Sequence, residues 1–192
     1  MKCTFKSNEW SMEGLTYAGS IRFAPMPDME QREDYIENIP FAAMRDGYSY
    51  ISLVTREKVQ PGVKLSSRCA FEGDAAPLFV LPKELIEKDG KLYYGDYLEV
   101  VLWKNGINVW NLWTDETGEV KIRNLLRMEK PVEAGVPHNF EVEIYKDRFT
   151  VILDGSRVGL YCGDIYDSFH LGITGCEGPC RFYDMSIEPI EN

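Results

Sequence analysis

The residues best suited to chemistry lie close together, between Tyr97 and Trp113, in the stretch YLEVVLWKNGINVWNLW. It holds Trp103, Trp110 and Trp113, three of the chain's four tryptophans, together with the carboxylate of Glu99 and the carboxamide of Asn108. An indole stacks on the apolar side of a pyranose, while Glu and Asn side chains meet the sugar's hydroxyls. That chemistry requires the groups to share one face. Asn105-Gly106 is a strong hairpin signal, because both residues tolerate positive φ. It predicts strands over 97–104 and 107–113, with Trp103 opposite Asn108, Val101 opposite Trp110 and Glu99 opposite Leu112. Alternation then puts Leu98, Val100, Leu102, Val109, Asn111 and Trp113 on one face. Glu99, Val101, Trp103, Asn108, Trp110 and Leu112 fall on the other. The first set reads as core. The second reads either as a sugar-binding surface or as core beneath a second sheet.

Cleaving a glycosidic bond needs two carboxylates, close together for retention and farther apart for inversion. Glu99 is one candidate. Asp96, Glu72 and Asp74 are the nearest others, each of which also reads as a solvated loop residue. A polysaccharide lyase would neutralise a uronate with Arg or Asn and use Tyr, His or Lys as base and acid. Arg68, Lys121, Arg123 and Arg127 could serve the first role and Tyr48, Tyr50, Tyr93, Tyr94 or Tyr97 the second, although the basic residues also fit a solvated convex face. No Gly-x-Ser-x-Gly elbow and no Gly-rich phosphate loop occurs. Cys3, Cys69, Cys162, Cys176 and Cys180 are odd in number and irregularly spaced, which does not suit a disulfide framework. Cys176 and Cys180 flank a Gly-Pro turn, and His138 and His170 are the only imidazoles, so a four-ligand zinc site is not expected.

Composition narrows the partners. The 31 acidic residues against 21 basic give a net charge of -10, which argues against nucleic acid or an anionic membrane. No run of about 18 apolar residues suggests a membrane span. The N-terminal MKCTFKSNEW lacks the apolar segment of a secretory signal, so the expectation is a cytoplasmic protein, or an extracellular one from which a signal has been removed.

The elements that position these residues are strands. Residues 48–55, 63–71 and 77–81 alternate or run apolar, and after the tryptophan hairpin come 120–127, 139–145, 148–153, 157–162, 168–174 and 180–187, each bounded by Gly, Asp or Pro. One helical turn or two is expected over 82–90, from Pro82 to Gly90. The first 46 residues, with APMPDMEQREDYIENIPFAAMRDG, read partly as an extended arm or long loop with a helical turn near 30–36. Strands every eight to twelve residues in a chain of 192 predict a single all-β domain over 1–192, an antiparallel two-sheet β-sandwich or jelly roll.

GVPHNFEVEIYKDRFTVILDGSRVGLY resembles a segment of concanavalin A-like lectin/glucanase and laminin G-like domains, and FHLGITGCEGPCRFYDMSIEPI resembles their closing strands. Phe140, Val142 and Ile144 would share a buried stripe with Phe149, Val151 and Leu153, leaving Glu141, Glu143 and Thr150 on the opposite face. The resemblance covers about 47–190 in strand order and is specific over 135–190. It implies two stacked sheets, one curved, whose concave face meets carbohydrate, and it places His138 at a turn as a structural residue. This fold also hosts lectins, glycoside hydrolases, polysaccharide lyases and protein-interaction modules. Glucan-hydrolysing members carry Glu-x-Asp-x-x-Glu or Glu-x-Asp-x-Glu on one strand, whereas YLEVVLW supplies a single acid. The Arg-Glu and Gln-x-His motifs of its alginate lyases are absent. The resemblance leaves calcium possible, and KDGKLYYGDY and EGDAAP place Asp and Gly on loops beside strands, but a hard cation needs several converging oxygens. No cofactor is therefore expected. The resulting expectation is a lectin-like domain that binds carbohydrate through Trp103, Trp110, Asn108, Glu99 and Tyr97. The alternatives are a hydrolase with Glu99 as a catalytic carboxylate and a protein-interaction module, for which a homodimer is one form.

Overall fold

The structure is a computed structural model that describes residues 1–23, 26–42, 47–163 and 165–190. Strands β1 (Lys2–Thr4), β2 (Leu15–Ser20), β3 (Glu30–Gln31) and β4 (Ile36–Glu37) come first, followed by β5 (Ile51–Thr55), β6 (Val63–Phe71) and β7 (Ala76–Pro82). Next are β8 (Ile86–Lys88), β9 (Lys91–Tyr94), β10 (Tyr97–Trp103), β11 (Gly106–Thr114) and β12 (Val120–Glu129). The chain closes with β13 (His138–Ile144), β14 (Arg148–Leu153), β15 (Ser156–Cys162), β16 (Gly172–Cys176), β17 (Cys180–Phe182) and β18 (Asp184–Pro189).

These strands form two sheets. The first runs β15-β14-β13-β6-β17-β4-β3, with β18 also on β6 and β1 on β18. The second runs β12-β11-β10-β7-β16-β5-β2-β9-β8, antiparallel except where β9 lies parallel to β2. Sequence alternation explains the layering. Phe140, Val142 and Ile144 pair with Leu153, Val151 and Phe149 and are almost wholly buried, while Glu141 and Glu143 keep some exposure. Phe79 of β7 stacks on Phe140 of β13 at 4.3 Å between centroids, which joins the two sheets. Fully burying such a ring contributes about 2–3 kcal/mol. The strand β7 is buried along its whole length, so both of its faces are covered. Phe79 and Leu81 face the sandwich core, and Ala76, Leu78 and Val80 face a second apolar cluster on the outer, concave side of the sheet.

Four sequence expectations change. The hairpin turn is Lys104-Asn105, because Trp103 pairs with Gly106 and Glu99 with Trp110. Gly106 is needed for close approach, since a Cβ there would sit 1.9 Å from the Met128 carbonyl oxygen on β12. The shift in partners preserves the faces, because it moves each pairing by an even number of residues. The helix expected over 82–90 is the β8–β9 hairpin, turned by Asp89 (φ 53) and Gly90 (φ 73), the paired positive φ of a type I′ turn. The helical turn expected over 30–36 is the small β3–β4 hairpin. Within the first 46 residues, β2 is an internal strand between β5 and β9, so part of the expected arm belongs to the sheet; residues 43–46 lie outside the described set.

Candidate functional site

Alternation along β10 and β11 sends Tyr97, Glu99, Val101 and Trp103, with Asn108, Trp110 and Leu112, to the concave face. There they line a pocket of about 530 Å³. All five residues singled out in the sequence, Trp103, Trp110, Asn108, Glu99 and Tyr97, reach it. Both indoles are half-buried, so each keeps a face toward the pocket. Trp110 stands opposite Glu99, four residues from Trp103 on the neighbouring strand, which separates the two by about 13 Å along the strands. Val101 and Asn108 pair between them.

Glu99 has no hydrogen bond or ion pair to a described residue. Burial drives its carboxyl up to about 7; Arg22 opposes the shift and the negative charge of Glu177 adds to it. The residue still keeps part of its surface open to the pocket. At neutral pH it is therefore divided between a hydrogen-bond donor and an acceptor. Arg22 Nη1 donates to the Tyr97 hydroxyl at 3.1 Å, and its guanidinium lies 5.6 Å from the Phe23 ring centre. Phe23 stacks on Tyr50 at 4.8 Å and forms the wall facing β10 and β11. Asn108 Oδ1 is buried without a partner, leaving a polar side chain unsatisfied at the site.

The other sequence candidates lie elsewhere. Asp96 accepts from the Thr114 backbone N–H, Glu72 pairs with Arg181 and Asp74 with Lys104. The second carboxylate on the pocket is Glu177, which the sequence reading missed. Its positive φ of 58 beside Gly178 marks a turn that only the folded sheet brings over Glu99's strand. Arg22, Phe23 and Tyr50 were missed as pocket residues for the same reason. Trp113 faces away from the pocket, and none of Arg68, Lys121, Arg123 and Arg127 lines it. His138 is held at a turn, with Nδ1 2.8 Å from Asp154 Oδ2 and Nε2 donating to the Glu133 carbonyl at 2.8 Å. His170 is buried, its Nδ1 2.9 Å from the Thr55 carbonyl oxygen. All five cysteines are free thiols, and among the described residues no group of three or more His, Cys, Asp or Glu could hold a metal ion. A larger hollow of about 680 Å³ lies against β2 and the β8–β9 hairpin, but it has no tryptophan, and its carboxylates Asp28 and Glu87 are exposed.

No protein-family model matches this sequence, and no curated protein matches it. Solved structures do. The carbohydrate-binding module CBM66 from Bacillus subtilis superposes with a TM-score of 0.63 at 11% identity, over 91% of this chain and 95% of that one. A β-porphyranase from the human gut bacterium Bacteroides plebeius superposes at 0.67 and 10% identity, over 99% of this chain and 91% of its own. The κ-carrageenase of Pseudoalteromonas carrageenovora, solved with an oligotetrasaccharide of κ-carrageenan, gives 0.63 at 10% identity, over 97% and 92%. At such identities the likeness concerns the fold, which is a concanavalin A-like jelly roll.

Proposed function

We propose that this chain binds an oligo- or polysaccharide on the concave face of its second sheet, with Trp103 and Trp110 as stacking platforms. Glu99, Asn108 and Arg22 act as polar selectors. The observation that carries this reading is the composition of the pocket: two half-buried indoles on adjacent strands, with a carboxamide between them, a carboxylate opposite one of them and a guanidinium at one end. Apolar platforms that alternate with a few directed polar groups match a pyranose, whose ring faces are apolar and whose edge is polar. Neighbours of the same fold that include a carbohydrate-binding module and polysaccharide-cleaving enzymes support it.

Hydrolysis is the second reading, favoured by the carboxyl of Glu99 at about 7. That value suits a general acid, and Glu177 supplies another carboxylate on the pocket. Against it, the positions two and four residues beyond Glu99, where the fold's glucan hydrolases can carry further acids, hold Val101 and Trp103.

Titrating the intrinsic tryptophan fluorescence across an oligosaccharide panel, with reducing ends assayed in the same wells, separates the readings. Saturable shifts without new reducing ends are expected. New reducing ends would establish the hydrolase, and silence in both channels would return these tryptophans to a protein interface.

A further inference from the structure

We infer that the pocket takes the end of a glycan chain and excludes an internal stretch; this rests on the carbohydrate reading above. Pro82, the last residue of β7, pairs directly with Tyr97, the first of β10, so residues 83–96 leave the β7–β10 ladder and return to it at one point. Lys83 N–H donates to the Asp96 carbonyl at 2.9 Å and closes the neck of this excursion. Its far end reaches β2, where Tyr93 and Tyr94 pair with Gly19 and Ser20. In the sheet, β2 lies three strands from β7, about 14 Å away.

The side chains show which way the excursion crosses. Tyr94 belongs to, and Leu85 and Leu92 pack against, the outer apolar cluster that also holds Ala18, Val54 and Val80, which are almost fully buried. The Tyr94 and Ser52 hydroxyls hydrogen-bond at 2.7 Å over the concave side of β5. The Tyr94 ring meets Tyr97 edge-on at 4.8 Å, and Ile21 N–H donates to the Tyr94 carbonyl. Leu85, Leu92 and Tyr94 thus plug part of the concave face with a second small core, while β8 and β9 extend the sheet at its edge. The Arg22 bond to Tyr97 and the Phe23–Tyr50 stack complete the wall.

What remains is a dead end that opens toward β11 and β12, where Trp110 is half-buried and Ile122 is 52% exposed. A polysaccharide threading the groove would have to displace a buried tyrosine pair and the cluster beneath it. A chain terminus does not. Its last sugar would rest against Tyr97 and Phe23 within reach of Arg22 and Glu99, and the rest of the chain would leave over Trp110.

Isothermal titration of the intact protein with length-fractionated agaro-, κ-carrageenan and β-1,3-gluco-oligosaccharides, together with the parent polysaccharides, tests this. For whichever series binds, one protein per chain is expected at every length, with affinity that stops improving after the first few sugars. A count of bound proteins that climbs with chain length would overturn end-on binding and leave the carbohydrate reading standing. No saturable heat with any series would overturn the carbohydrate reading and this inference with it.

Discussion

Glu99 on β10 pairs across the hairpin with Trp110 on β11, so a partly buried carboxyl and a half-exposed indole share one rung of the pocket floor. Carboxyl and indole are thereby held in place by backbone pairing and need no flexible loop. Trp110→Ala should weaken oligosaccharide binding about thirtyfold, the loss of an aromatic anchor worth about 2 kcal/mol. Trp103→Ala should weaken it by a smaller factor, because that residue lies farther from the closed end. Both indoles pack against the outer apolar cluster, so both variants should melt somewhat lower than the wild type while their far-ultraviolet circular dichroism keeps the same β signature. Calorimetric affinities that the two changes leave untouched would remove the tryptophans from the site.

The charge state of Glu99 gives a pH signature. Its carboxyl ordinarily titrates near 4.5 and in the fold at about 7, so between those values the folded state holds more protons than the unfolded one. Stability must then fall as pH rises through that window, with burial of the charge the cause. Glu99→Gln removes the ionisation, and at pH 8 it should unfold at higher urea concentration than the wild type, by up to about 3 kcal/mol. At pH 4.5 the two should nearly coincide. Parallel stability curves from pH 4.5 to 8 would mean that Glu99 is solvated.

The sequence displays the face that lines the pocket well because β pairing depends on parity. The expected register placed Val101 opposite Trp110, whereas the structure places Glu99 there, yet every side chain kept its predicted face. Buried stripes such as Phe140, Val142 and Ile144 were legible for the same reason. The walls of the site were not, because Arg22, Phe23, Tyr50 and Glu177 come from separate parts of the chain that only topology gathers. The plug was hidden by propensity. Residues 83–88, KELIEK, favour a helix when read alone, and the pairing of Ile86–Lys88 with β9, with Leu85 joining the outer apolar cluster, overrides that preference, Asp89-Gly90 supplying a tight turn.

Gly106 shows how one residue type can signal two different constraints. It suggested the hairpin turn, but the structure uses it at φ 141, where a Cβ would also fall 1.9 Å from the Met128 carbonyl oxygen and 2.9 Å from the Lys130 nitrogen. Since both contacts are backbone, a side chain cannot be accommodated by rotamer change. Gly106→Ala should therefore cost about 3 kcal/mol or more and loosen β12 from β11, seen as a lower urea midpoint and faster amide exchange over 120–129. A variant as stable as the wild type would show that β12 can move away freely.

Tyr94 is the residue through which the plug is tied to the sheet beneath it. Its hydroxyl bonds Ser52, which has no solvent exposure, so neither group can turn to water if the bond is lost. Tyr94→Phe leaves the ring packed against Tyr97 but strands the Ser52 hydroxyl, and should cost about 1–2 kcal/mol in urea unfolding. Ser52→Ala removes the stranded partner as well, so the double variant should recover part of that loss. The recovery is diagnostic, because a plug that merely rests on the sheet would make the two changes additive. Amide exchange at Tyr93 and Tyr94, which pair with β2, should rise in Tyr94→Phe if the same bond holds the hairpin across the groove.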